Sequence, residues 1–224
     1  MAYQSKHKKS PETQLRIEGV SLGELSLCEF DKAVSEHFGA VCGIDEAGRG
    51  PVAGAVYAAA VILDPNNPIE GLDDSKKLTP KKREKLFPII KEKALAYCIA
   101  SASVEEIDKT DILSAALLAM QRAFEGLKEA AGIVLVDGDV LPELPCSAKN
   151  VIGGDAKSEA IAAASILAKV ERDAEMCRLS EKYQGYGFER HKGYGTKAHV
   201  EAIEKLGLCP IHRKTFLKKY IKDE

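Results

Sequence analysis

The chain has 224 residues, 45% of them apolar, enough to bury a full core as one domain with room for a small appendage, and its formal net charge of −2 is close to neutral. No apolar run approaches the ~18 residues of a membrane span, and the basic N-terminus is not followed by an apolar signal core. Membrane classes are thereby excluded, and a soluble, cytoplasmic protein is expected. The six cysteines are scattered without a C-x-x-C pair or a histidine at zinc spacing, so they are expected to be reduced, small core residues. Charge is uneven: Lys6, Lys8 and Lys9 mark one end, and Arg213, Lys214, Lys218, Lys219 and Lys222 crowd the other. Basic ends suit a polyanion partner, although a solvated tail is the commoner cause.

In chain order, residues 1–10 are polar, and residues 22–38 carry Leu25, Leu27, Phe30, Val34 and Phe38 at loose helical spacing, predicting a short helix that leads into the first strand. Residues 41–57 read V-C-G-I-D-E-A-G-R-G-P-V-A-G-A-V-Y: two strand-like runs joined by a tight polar turn. Gly48 and Gly50 let a ligand approach the main chain there, Arg49 supplies a positive fork, and Asp45 and Glu46 stand at the mouth. An ordinary turn explains the same letters locally. A dinucleotide fingerprint does not, because Gly54 comes one residue late, Pro51 interrupts, and no helix follows.

Residues 64–80 must be loop, and within it Asp74-Ser75-Lys76-Lys77-Leu78 is either a cluster of phosphate-friendly donors or a solvent-facing stretch. Thr79-Pro80 opens a helix over residues 81–93, with Leu86, Phe87, Ile89 and Ile90 on one side and Pro88 expected to kink or shorten it. Residues 95–103 read as a third strand, and Ser103 with Glu106 forms a capping box. An amphipathic helix is predicted over residues 111–130.

Ile133-Val134-Leu135-Val136 suits a strand buried on both faces, ending at Asp137. Asp137 is a turn-former or a site residue at the sheet edge. Gly153-Gly154 leads to Asp155 in an N-cap position, ahead of a long helix over residues 156–183 whose small residues Ala160, Ala163 and Ala164 allow close approach to the sheet. Capping alone explains Asp155, and a carboxylate at a helix N-terminus is also held ionised for metal ligation. Residues 185–196 form a glycine-rich loop threaded with aromatic and cationic side chains, which suits a nucleic-acid backbone better than a core. Two helices, over residues 197–206 and about 214–222, finish the chain.

Asp45, Glu46, Asp137 and Asp155 thus each fall at a strand end or helix start. Four carboxylates without histidine or cysteine partners point to Mg²⁺ or Mn²⁺, and paired hard ions suit phosphodiester hydrolysis. Strands followed by alternating helix and strand fit an α/β fold with a mixed sheet flanked by helices.

The motifs G-I-D-E-A-G-R-G-P-V-A-G, D-S-K-K-L, V-D-G, G-G-D-A-K-S-x-x-I-A-A-A-S-I-L-A-K-V, Y-G-F-x-x-H-K-G-Y-G-T and H-R-K-T-F occur in that order. Over roughly residues 42–216 the chain resembles ribonuclease HII, the type 2 ribonuclease H. The resemblance implies a ribonuclease H-like core over residues 41–196, an N-terminal extension over 1–40, and a basic, helical, duplex-binding segment over 197–224. It implies metal-binding catalytic carboxylates at Asp45, Glu46, Asp137 and Asp155, with two divalent ions, Mg²⁺ or Mn²⁺, in the reacting complex. A sensor of the 2′-hydroxyl falls on Gly48, Arg49 and Gly50, a junction-sensing tyrosine on Tyr194, and phosphate contacts on Ser75, Lys76, Ser158 and Lys169. The implied activity is endonucleolytic cleavage on the 5′ side of ribonucleotides, in RNA-DNA hybrids and at single ribonucleotides in duplex DNA, leaving 3′-hydroxyl and 5′-phosphate ends.

Ribonuclease HIII, the sister family, typically carries a long N-terminal domain and a G-K-G turn, whereas about 40 residues precede the first motif here and the turn is Gly48-Arg49-Gly50. A non-catalytic nucleic-acid-binding module would be expected to lose a metal carboxylate, and all four are present. A metal-dependent DNA exonuclease would degrade duplexes without any ribonucleotide. The expected partner is duplex nucleic acid bound by a monomer; the short basic ending carries no clear sliding-clamp motif.

Overall fold

The computed structural model describes residues 14–18 and 21–217, so the polar residues 1–10 and Lys218, Lys219 and Lys222 of the basic end lie outside the described residues. Five strands form one sheet in the order β3-β2-β1-β4-β5: β1 (Val41–Ala47), β2 (Val56–Ile62), β3 (Ala96–Ala102), β4 (Ile133–Asp137) and β5 (Ala148–Val151). The first hairpin makes β1–β2 antiparallel, as β2–β3 is, whereas β1–β4 and β4–β5 are parallel. The sheet is therefore mixed, with the parallel strand ends of β1 and β4 side by side at its centre.

Period-two alternation sorts the side chains of β1. Cys42 and Ile44 face α4 (Ile112–Glu125), packing with Val56, Ala58, Ala60 and Met120. Gly43 faces the other way, onto α5 (Glu159–Lys182). A Cβ at Gly43 would collide with the backbone of Ala160 and Ile161, so the missing side chain and the alanine-rich first half of α5 together set this close approach. Asp45, two residues on, must face α5 as well. The entry helix is α1 (Leu27–Phe38), capped by a Ser26–Glu29 box, and its Asp31 carboxylate accepts a hydrogen bond from the Ala160 N–H at 2.8 Å, tying it to the start of α5.

Several sequence expectations need correction. In α2 (Pro80–Lys93) the helix runs through Pro88 without interruption; Pro88 and Glu84 are exposed, so the carbonyl that loses its partner faces water. The helix predicted over 111–130 stops at Glu125, where Gly126 caps it and Leu127 turns back onto the core. Asp155 is not the N-cap of α5. Gly153 turns the chain at φ 63°, Asp155 sits in a separate 3-10 turn (Gly154–Ala156), and Ser158 caps the helix by accepting the Ile161 N–H. Among the cysteines all six are free, but only Cys42 is buried and Cys28 is exposed.

The loop at 185–196 is also different from expectation. It contains α6 (Phe188–His191), and Tyr186 and Phe188 are buried against each other with ring centroids 5.3 Å apart. They pack with Val52, Ala53, Met176, Ile203 and Leu217, joining α7 (Lys197–Leu206) and α8 (Lys214–Leu217) to the body of the protein. Tyr194 alone of these aromatics is exposed, at 44%. A short helix, α3 (Val104–Lys109), offers Asp108 to the N–H groups of Lys214 and Thr215, fixing the start of α8. The predicted 214–222 helix is described only as far as Leu217.

Candidate active site

Asp45 lies near the end of β1 and Asp137 ends β4, one register step beyond the Ile44–Val136 pair, so two parallel strands deliver two carboxylates to the same sheet edge. The 3-10 turn after β5 adds Asp155. One carboxylate oxygen from each of the three lies within 4.8 Å of the others. Asp45 and Asp155 are almost fully buried, at 4% and 2% exposure. Glu46 does not join this close group: it follows Asp45 on the opposite pleat and pairs with Arg49 at 3.2 Å.

Burial raises the Asp45 carboxyl well above the usual range, and Glu46 and Asp137 raise it further. Burial also raises Asp137, against the pull of the Gly154 N–H that its Oδ1 accepts at 2.6 Å. For Glu46 burial again outweighs Arg49, which acts to lower it. The site therefore holds more negative charge than its surroundings neutralise. Among the described ion pairs, Arg49 reaches Glu46, and Lys76 reaches the three-aspartate group, donating to Asp155 Oδ2 at 2.5 Å. An all-oxygen group with unneutralised negative charge of this kind fits a hard divalent cation.

The D-S-K-K-L stretch is held beside this cluster by contacts with α5 and α2. Ser75 Oγ meets Ser165 Oγ of α5 at 2.8 Å, and Arg83 donates to the carbonyls of Ser75 at 2.7 Å and Leu78 at 2.6 Å. Ser75 is buried and Lys76 exposed, so of the two the lysine is the group open to a ligand. Lys169 pairs with Asp173 at 2.7 Å. Ser158 must be withdrawn as a phosphate contact, because it is fully buried and its hydroxyl caps α5.

Between β1 and β2 the chain from Gly48 to Ala55 turns its carbonyls inward, and buried carbonyls require donors. Two buried arginines supply them. Arg213 donates to Gly54 at 2.8 Å, Pro51 at 2.7 Å, Gly48 at 2.7 Å and Arg49 at 3.1 Å. Arg172 donates to Ala53 at 3.2 Å, Ala55 at 3.2 Å and, across the site, Lys192 at 3.1 Å. Main-chain pairing of Gly54 with Ile211 and of Val52 with Gly193 and Arg213 completes the clamp. Arg213, read from sequence as a candidate polyanion contact, has no exposed surface and instead shapes this turn.

Tyr194 stands beside the same turn. A Cβ at Gly50 would lie 3.5 Å from Tyr194 Cε1, so ring and turn backbone form adjoining walls. Arg49 is half exposed between this wall and the carboxylates. Sequence reasoning missed Arg172, Arg83 and Ser165 and misread Arg213. The available signal was the turn itself, whose eight residues 48–55 carry no side-chain donor except Arg49 and must find partners elsewhere.

Among the described residues no helix is long and apolar enough to cross a membrane. The family model for Ribonuclease HII matches residues 42–219. Ribonuclease HII of Idiomarina loihiensis is 60% identical over 176 residues, covering 79% of this chain and 94% of that protein. The ribonuclease H2 of Pyrococcus horikoshii superposes with a TM-score of 0.67 at 32% identity, covering 79% of this chain and 93% of that one. The RNase HII of Archaeoglobus fulgidus, solved in complex with PCNA, gives 0.63 at 25% identity over 82% and 98%. These matches favour type HII over HIII and over a non-catalytic module. With three of the four expected carboxylates gathered at the ends of adjacent strands, the chain belongs to the ribonuclease HII family and is a ribonuclease H endonuclease.

Proposed function

We propose that this enzyme, whose family activity is cleavage of RNA in RNA-DNA hybrids, also cuts on the 5′ side of a single ribonucleotide embedded in duplex DNA, leaving 3′-hydroxyl and 5′-phosphate ends. The observation that carries the reading is the exposed Tyr194 ring against Gly50, next to a turn whose backbone is rigidly held. The only local difference between a ribonucleotide and its neighbours is one 2′-hydroxyl, which both donates and accepts hydrogen bonds. Discrimination then needs main-chain groups at close range, and the Gly48-Arg49-Gly50 turn offers them. Tyr194 provides a flat surface for the next sugar, which a second 2′-hydroxyl would crowd.

Asp45, Asp137 and Asp155 are the residues to hold Mg²⁺ or Mn²⁺, joined by Glu46 once its carboxylate exchanges Arg49 for a cation. A pair of such ions, when bound, activates water and neutralises charge at the leaving oxygen. The protein's own contribution is placement: β1 and β4 fix two carboxylates, Gly154 N–H orients Asp137, and the two buried arginines keep the turn from moving. Lys76 is suited to exchange Asp155 for a backbone phosphate, as Lys169 is to exchange Asp173. Action as a monomer in the cytoplasm completes the reading, and six unpaired cysteines agree with that compartment.

The test is Tyr194→Ala assayed on two substrates, a DNA duplex with one ribonucleotide and a duplex with a longer RNA stretch. Cleavage at the lone ribonucleotide should fall much more than cleavage within the stretch. Equal losses on both would assign the tyrosine to binding alone and remove it from junction recognition.

A further inference from the structure

Behind Tyr194 lie two histidines that the chemistry above does not use, and the backbone of one of them, His212, bridges to Ala53 of the turn. His199 of α7 is fully buried and His212, just before α8, nearly so. Their Nε2 atoms meet at 3.0 Å. His199 Nδ1 lies 2.9 Å from the Tyr194 carbonyl oxygen, and His212 Nδ1 accepts the Cys209 N–H at 2.9 Å. We propose that the His199–His212 pair positions Tyr194 and thereby sets the preference for an isolated ribonucleotide over a longer RNA stretch. The proposal rests on the reading of Tyr194 as the junction sensor.

With both rings neutral, one arrangement of protons satisfies the Tyr194 carbonyl, the His199–His212 contact and the Cys209 N–H together. A carbonyl oxygen accepts and never donates, so His199 must carry its proton on Nδ1. Its Nε2 is then an acceptor, which obliges His212 to carry a proton on Nε2. His212 Nδ1 is left bare to receive the Cys209 N–H. The alternative, with His212 Nδ1 donating to the Cys209 carbonyl at 3.2 Å, would force His199 to aim a lone pair at the Tyr194 oxygen. A directed chain of hydrogen bonds therefore runs from Cys209 through both rings to Tyr194, and each ring is neutral within it.

The surroundings favour that neutral state. Phe188 meets His199 edge-on at 5.3 Å and His212 at 5.7 Å, and Tyr186 lies 5.2 Å from His212. His191 of α6 stacks on His199 at 4.4 Å, and its own nitrogens are engaged by the Tyr186 carbonyl at 2.8 Å and the Gly193 N–H at 3.3 Å. The residues on either side of the exposed ring are thus tied down as well: Gly193 binds His191 and Val52, and Thr196 caps α7. Holding the carbonyl of Tyr194 limits where its ring can sit, and a sensor works only if its surface stays where the wrong sugar must meet it.

Two substitutions separate the contacts of His199. In His199→Gln the amide keeps a group at the Nε2 position for His212 and loses the donor to Tyr194. In His199→Asn the amide nitrogen takes the Nδ1 position, keeping that donor and losing His212. The ratio of kcat/KM for a single-ribonucleotide duplex to that for an RNA-stretch duplex should fall about tenfold in His199→Gln, the loss of one typical buried hydrogen bond, and return close to wild type in His199→Asn. An unchanged ratio in His199→Gln, with Tyr194→Ala lowering it, would overturn this proposal and leave the junction-sensor reading standing. A ratio unmoved by Tyr194→Ala would overturn both. Independently of any variant, ¹⁵N NMR of the wild-type rings should find the proton on Nδ1 of His199 and Nε2 of His212; the opposite tautomers would refute the chain of hydrogen bonds.

Discussion

Replacing Gly48 by Ala tests whether the turn is rigid because of what lies beneath it. Gly48 has φ 102°, a conformation that costs another residue on the order of 1–3 kcal/mol. The added Cβ would also overlap Nε and Cδ of Arg172, a buried side chain whose three hydrogen bonds reach Ala53, Ala55 and Lys192. Displacing a charged donor from a buried carbonyl costs roughly 1.5–3 kcal/mol for each bond broken. Even with one bond broken the total comes to roughly 2.5–6 kcal/mol, a large part of the ~5–15 kcal/mol that holds a domain together. The expected fall in melting temperature is roughly 10–20 °C, read by thermal unfolding. Turnover on every ribonucleotide substrate should drop with it, because the turn cannot keep its shape. Gly50→Ala is the contrast: its Cβ makes an ordinary contact with Tyr194 Cε1, so stability should hold while substrate preference shifts. If Gly48→Ala melted like wild type yet lost activity, the new methyl would be obstructing substrate directly and the arginine support would be irrelevant.

Asp45→Asn should nearly abolish turnover and yet stabilise the ion-free protein by roughly 1–3 kcal/mol, because a buried charge is removed from a group with its partners within 4.8 Å; wild type should gain melting temperature on adding Mg²⁺ or Mn²⁺, and a similar gain in the variant would argue against Asp45 as a ligand. Burial lowers His199 to about 4, below its unfolded value of ~6.5, so the unfolded chain takes the proton first and the stabilisation present above that value is lost as pH falls from 6.5 toward 4. Urea unfolding should therefore show wild type losing its stability advantage over His199→Phe between pH 7 and pH 5, and a constant difference would mean that His199 titrates normally. Truncation to test the basic tail must fall after Leu217, since Leu217 is fully buried and Phe216 lies under the Arg213 guanidinium at 5.2 Å. Removing residues 218–224 should flatten the salt dependence of duplex binding by about 0.9 in logarithmic slope for each phosphate that the tail neutralises, and an unchanged slope would show a solvated tail.

The strands and most helices were legible because their signals are local: Ile133 to Val136 is apolar without interruption, Ser103 and Glu106 cap α3, and Thr79-Pro80 opens α2. Asp45 and Asp137 were legible as strand ends, whereas Asp155 was read as a helix N-cap and instead sits in a 3-10 turn after β5. What local pattern could not supply was the direction of a side chain. Arg213 looks the same in sequence whether it meets a phosphate or the carbonyl of Gly48, 165 residues away along the chain. Glu46 follows Asp45, and the pleat alone turns it away toward Arg49. Ser158 rather than Asp155 caps α5 because Gly153 adopts a left-handed turn that either glycine of the pair could have taken. Tyr186, Phe188 and Tyr194 share one glycine-rich stretch, and only the packing of α6, α7 and α8 decides which of them is left at the surface.

The most direct test of the account is incubation of the wild-type protein and Mg²⁺ or Mn²⁺ with an end-labelled DNA duplex containing one ribonucleotide, followed by mapping of the cut and its ends. Cleavage on the 5′ side of that ribonucleotide, with a 3′-hydroxyl and a 5′-phosphate, and no cleavage of the all-DNA control, is the predicted result. An intact single-ribonucleotide duplex under conditions where an RNA-DNA hybrid is cut would contradict it.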